Sequence, residues 1–116
     1  MMIEPIHAFR AAEYQVKFAT CPWERARAHE LRRSVFCKEQ GIFQADDRDA
    51  IDDVAIPIVA LSMLGVVADD VVGTVRIHQP EPGVWWGSRL AVHHDYRKIG
   101  ALGATLIRLA VSSAHA

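Results

Sequence analysis

The sequence predicts an α/β (α+β) domain in which a strand and a helix precede three consecutive strands and a closing helix. Three observations carry this. "EYQVKFAT" (13–20) alternates polar and β-favouring residues, the period of a half-buried strand. In "PWERARAHELRRSVFCK", Ala26, Leu31 and Val35 recur at near-helical spacing. In the closing stretch Leu102, Leu106, Leu109 and Ser113 fall on one face of a helix.

The first strand runs over 13–20 and the first helix over 22–38, with Thr20 as its cap and Pro22 in the first turn. "GIFQADDRDAIDDVA" is acidic and opens with Gly41, so it is an irregular or short-helical connection. "IPIVALSMLGVV" and "VVGTVRIHQ" are apolar runs of strand length, with Ala68-Asp69-Asp70 as the hairpin turn between them. "EPGVWWG" carries a Pro-Gly turn, and "SRLAVHH" gives a fourth strand from Arg89 to His93. No strand follows the last helix, although a strand–helix unit ordinarily returns to a parallel strand. Residues 1–12 form a loose lead-in, and 13–116 form one domain that ends early.

Size and charge limit the functions open to this chain. Its 116 residues suit one domain, large enough to bury a real core. Thirteen Lys and Arg against fourteen Asp and Glu give a formal charge of −1, without the basic excess of a nucleic-acid binder. Arg25, Arg27, Arg32 and Arg33 interleave with Glu24 and Glu30, as on a solvated helix face. Cys21 and Cys37 have no metal-ligand spacing and read as free thiols in a reducing compartment. The apolar run 54–68 is too short for a membrane span and contains Pro57 and Gly65. The expectation is a cytoplasmic protein without nucleic-acid or membrane partners.

"RKIGALGATLIRLAV" (97–111) raises the question of chemistry. The first N–H groups of a helix are unpaired, and the macrodipole adds partial positive charge there. Gly100 and Gly103 allow close backbone approach, while Arg97 and Lys98 add cations. The segment matches neither the P-loop nor the Rossmann fingerprint. Two readings stay open on these residues alone, a phosphate cradle or a plain helix start with solvated cations.

"LAVHHDYRKIGALGATLI" resembles the acetyl-CoA-binding motif of the Gcn5-related N-acetyltransferases, the GNAT superfamily. That motif is a hydrophobic strand, then [RQ]-x-x-G-x-[GA], then a helix. "LRRSVFCKEQGIFQADDRDAIDDVA" resembles the first-helix region of members with LR-x-x-VF-x-x-EQ, and "VVGTVRI" is similar to their third strand. "WWGSRLAV" resembles a bacterial N-acyltransferase subgroup linked to nitrogen starvation. The motif departs from the family in one place, since Ala101 and Leu102 separate Gly100 from Gly103 where one residue is expected.

The resemblance implies the N-terminal part of an acyl-CoA N-acyltransferase fold, a mixed sheet lacking its C-terminal strands. It implies transfer of an acetyl or longer acyl group from acetyl-CoA to a primary amine, with no metal. Leu90, Ala91 and Val92 would offer strand backbone to the pantetheine amides and the thioester carbonyl. Arg97, Lys98, Gly100, Ala101 and Gly103 would cradle the pyrophosphate. The family's tyrosine acid lies beyond the last helix here, so activity of the short form is in question.

Acyl transfer also needs a neutral amine, and the candidate bases are Glu39 and His78, with Asp46 and Asp47 behind them. His78 is equally a polar strand end, and Glu39 equally a solvated helix-end residue. The acidic loop Asp46, Asp47, Asp49, Asp52, Asp53 either attracts a cationic amine or is simply solvated. Two alternatives stand beside the enzyme: a non-catalytic fragment that dimerises through an open sheet edge, and an acyl-homoserine-lactone synthase-like acyltransferase.

Overall fold

The structure is a computed structural model that describes residues 14–99 and 101–115. Strand β1 (Tyr14–Phe18) leads into helix α1 (Pro22–Arg33). Cys21, not Thr20, is the N-cap, with the Glu24 carboxylate reaching back to accept the Thr20 and Cys21 N–H groups at 3.0 Å each. Glu24, at the third helical position, thus supplies the carboxylate half of a capping box by accepting the N-cap N–H. Past Arg33 the helix widens into a π-helical turn, Ser34–Glu39, closed by a bond from the Gln40 N–H to the Val35 carbonyl. The single helix expected over 22–38 is therefore two segments, and π-turns of this kind re-aim the side chains after them.

A 3-10 turn, Ala50–Asp53, ends the acidic connection before β2 (Ile56–Leu64), β3 (Val67–Glu81) and β4 (Val84–Val92). The β2–β3 turn is Gly65-Val66, because Leu64 pairs with Val67. Gly65 takes φ +65°, the conformation a tight hairpin demands and a glycine supplies. Ala68-Asp69-Asp70, expected as the turn, lies inside β3, with Asp70 paired to Ser62. Strand β4 likewise begins five residues before Arg89, directly after the expected Pro82-Gly83 turn. A 3-10 turn, His94–Ile99, then precedes helix α2 (Ala101–His115).

The strands form one sheet in the order β1-β2-β3-β4, and every pairing is antiparallel. The mixed sheet expected above is thus antiparallel over the described residues. Side chains of a strand alternate between faces, and β2 divides accordingly: Val59 and Leu61 pack under α1 with Ala28, Leu31 and Val35, whereas Ile58 and Ala60 pack under α2 with Leu102, Leu106 and Ala110. One apolar stripe per helix covers each face, a three-layer arrangement. At Gly73 the packing against α2 is tight, since a Cβ there would lie 2.9 Å from Leu106 Cδ1.

Candidate functional site

Strand β4 has β3 on one side and no strand partner on the other among the described residues. His93 donates its N–H inward to the Val72 carbonyl at 2.8 Å. Backbone direction alternates along an antiparallel ladder, so Ala91 also spends its groups on Thr74, its β3 partner. Leu90 and Val92 therefore face the free edge, while Ala91 is turned inward with its methyl buried under α1.

The ladder is broken just before this point. Thr74 pairs with Ala91 but Arg76 pairs with Ser88, so Arg89 and Leu90 together oppose Val75. That is a β-bulge, and Arg89 takes φ +57° within it. A non-glycine residue in that region costs about 1–2 kcal/mol and persists only where its surroundings hold it.

The surroundings are the acidic loop. The Arg89 guanidinium donates twice to the Asp47 carbonyl at 3.2 and 3.0 Å, and once to the Asp49 carboxylate at 3.2 Å. It also lies 4.6 Å from the centre of the Phe43 ring, a cation–π distance. Arg32 binds the Asp47 and Asp52 carboxylates at 2.7 Å each. Arg76 binds Asp49 at 2.8 Å and Asp52 at 2.9 Å, and donates to Ser88 Oγ at 2.8 Å. Arg32, Arg76 and Asp47 are each at most 4% exposed. Burial pushes the Asp52 carboxyl up, but hydrogen bonds from Arg32, the Asp49 N–H and Arg76 outweigh it and hold the group far below the ordinary carboxylate range. Three arginines thus meet three aspartates across the α1 face.

This corrects the expectation for the loop. Asp47 is buried, Asp52 is partly buried, and Asp49, though exposed, is bound by Arg76 and Arg89; all three strap the loop to α1, β3 and β4. Only Asp46 and Asp53 carry no arginine partner among the described residues. Charge alternation in "ADDRDAIDD" gave no sign that its partners lay at Arg32, Arg76 and Arg89, which sit 15 to 42 residues away in sequence.

The end of β4 holds the other predicted residues. Arg97 Nε donates to the Val92 carbonyl at 2.8 Å from the free-edge side, and its terminal nitrogen donates to Glu39 Oε1 at 2.8 Å. Glu39 stands at the last position of the π-helical turn, so that turn is what brings it to the strand. Lys98 lies in the 3-10 turn, Ala101 opens α2, and Gly103 sits against the strand end, where a Cβ would meet Val92 Cγ2 at 4.0 Å. Gly100 lies outside the described residues.

His78 is elsewhere. It pairs with Trp86, its ring edge-on to the indole at 6.5 Å. Trp86 precedes Leu90 by four residues, roughly 13 Å at the strand rise per residue. The two candidate bases therefore occupy opposite ends of β4, and Glu39 alone is near Val92.

Beside the free edge, on the α2 face, runs a groove of about 340 Å³ lined by Val75, Ile77, Trp85, Leu90, Ile107 and Val111 among others. None of its lining residues is charged. It has the size and apolar character of a small-molecule site.

No protein-family model and no curated protein matches the chain. Solved structures do. A crystal structure from Lactobacillus plantarum, described provisionally as an N-acetyltransferase, is 26% identical with a TM-score of 0.74, over 88% of this chain and 67% of that one. A GNAT-family acetyltransferase from Staphylococcus aureus Mu50 superposes with a TM-score of 0.70 at 14% identity, over 89% of this chain and 67% of its own. The chain has a partial GNAT fold. Fold and likeness together support its assignment to the GNAT superfamily, and so to acyltransferases in general. Neither structure bears on the nitrogen-starvation subgroup. No described helix is long and apolar enough to cross a membrane.

Proposed function

We propose that the chain is an N-acyltransferase of the cytoplasm that takes an acetyl or longer acyl group from acyl-CoA and gives it to a small primary amine. The observation that carries this is the free edge of β4. A bulged strand leaves Leu90 on that edge beside an apolar groove, and the His94–Ile99 turn links the strand to the start of α2.

Acetyl-CoA supplies the acyl group as a thioester. Backbone groups of Leu90 and Val92 hold the pantetheine arm along the free edge, and the Leu90 N–H receives the carbonyl oxygen as it gains charge. Amides from Ala101 to Gly103, with Arg97 and Lys98, hold the pyrophosphate; the motif adds Gly100 to this set. The amine attacks the carbonyl carbon. Glu39 accepts the proton that the new C–N bond makes acidic. The C–S bond breaks, and the departing thiolate takes a proton from water. His78, at the far end of the strand, has no part in this sequence.

Thermal unfolding with coenzyme A tests the reading. A ligand at a hundredfold excess over its Kd adds about 2.7 kcal/mol to the folded state, a clear rise in Tm. No rise at millimolar coenzyme A rejects it.

The same free edge also favours a second reading, a non-catalytic form that dimerises by pairing β4 with β4, since open edges recruit strands. Light scattering that finds a stable monomer with turnover excludes it.

A further inference from the structure

We infer a second ligand site on the α1 face, a cleft for a small oxyanion such as a phosphate ester or a dicarboxylate. The cleft measures about 580 Å³, within the range of metabolite sites. One wall is α1, where Arg25, His29 and Arg33 follow one another at four-residue spacing and so share a face. The opposite wall comes from Arg48, Asp52, Asp53 and Ala55, and the floor from Pro57, Thr74 and Arg76.

The charge balance selects the ligand. The buried Arg32 and Arg76 of this cleft, together with Arg89 beyond it, are matched by Asp47, Asp49 and Asp52. That leaves Arg25, Arg33 and Arg48 against Glu30 and Asp53, and Glu30 already lies 3.6 Å from Arg27. Arg25 gives its Nε to the Ala19 carbonyl at 3.1 Å. No ion pair or hydrogen bond engages the side chain of Arg33 or Arg48 among the described residues. His29 lies among the same charges: burial lowers its pKa first, and Arg32 and Arg48 lower it further, against smaller opposing pulls from Asp52 and Asp47.

This site is distinct from the cofactor edge. The arginine–aspartate network stands between them, with Arg32 and Arg76 lining the cleft and Arg89 reaching the network from β4. An oxyanion held by Arg33 and Arg48 therefore does not compete with coenzyme A.

Calorimetric titration of the full chain at low ionic strength tests this, with inorganic phosphate and succinate as probes and sodium chloride as the ionic-strength control. Saturable binding of either probe is expected, and the tighter one identifies the head group. R33A/R48A removes two exposed cations, so it leaves the unliganded Tm unchanged and weakens binding roughly tenfold. R97A separates this site from the helix start and leaves the same affinity intact. The proposal is overturned if neither probe binds beyond the chloride control, if R33A/R48A binds like the parent, or if R97A abolishes binding. None of these results depends on coenzyme A binding, so the N-acyltransferase reading stands or falls separately.

Discussion

Arg97 donates to the Glu39 carboxylate at 2.8 Å while its Nε caps the Val92 carbonyl. The residue proposed for the pyrophosphate and the residue proposed as base are thus one ion pair, formed across 58 positions of sequence. On the proposed reading, a diphosphate that takes the Arg97 nitrogen now bound to Glu39 frees that carboxylate beside the strand edge.

Glu39→Gln separates the two roles. Loss of the charge removes the competitor for Arg97, so coenzyme A binds as tightly as to the parent or a few-fold tighter. Loss of the base lowers kcat by about 10²-fold or more. Calorimetry and steady-state rates with a primary amine measure both. An unchanged kcat removes Glu39 from the chemistry.

Gly73→Ala tests the packing of α2 on the sheet. The new methyl would lie 2.9 Å from Leu106 Cδ1 and 3.4 Å from both Ala60 and Leu102, and overpacking of this kind costs about 1–3 kcal/mol. Urea unfolding with an unchanged m-value is the expected result. Neutral behaviour would show that α2 sits farther from β3.

Much of this fold was legible because it is local. The period of β1, the stripe on α2 and the Pro82-Gly83 turn are written in neighbouring residues, and each element formed where its pattern fell. The polar Asp69-Asp70 pair has the composition of a turn, but the β2–β3 turn forms at Gly65, where φ +65° is what a glycine offers. The motif points to Arg97 and the residue types to Glu39 as candidates, but nothing local joins them. The π-helical turn that carries Glu39 to the strand has no sequence signature in "SVFCKE". The bulge at Arg89 and the acidic strap are wholly non-local, since each arginine finds its aspartate only after the sheet is built.

Arg89→Gly and Arg89→Ala, compared with each other, isolate the backbone at the bulge. Both lose the contacts to Asp47, Asp49 and Phe43. Glycine accepts φ +57° freely and alanine does not, so the glycine variant is more stable by about 1 kcal/mol. Equal denaturation midpoints would mean that the chain abandons the bulge once the side chain is gone.

Acid should unfold the protein in two stages. Folding lowers the pKa of His29 through burial and the nearby Arg32 and Arg48, so the unfolded chain gains that proton first and stability begins to fall below about pH 6.5. Folding also lowers Asp49, chiefly through Arg76, and Asp70, chiefly through Arg27. With Asp52 they keep full stability above the unfolded carboxylate value and lose it as pH drops below about 4. His29→Gln flattens the upper stage alone. Asp52→Asn lowers the plateau by about 3 kcal/mol, because it leaves buried arginines short of charge, and makes the acid stage shallower. A parent whose stability is flat from pH 7 to 3 would contradict both assignments.

The site itself is decided by amide shifts in ¹⁵N-labelled protein titrated with coenzyme A. Binding along the free edge of β4 and at the start of α2 moves the resonances of Leu90, Val92, Ala101, Leu102 and Gly103 together, saturating at one ligand per chain. Shifts confined to the α1 cleft, or none at millimolar ligand, would mean that this edge and this helix start do not form a coenzyme A site.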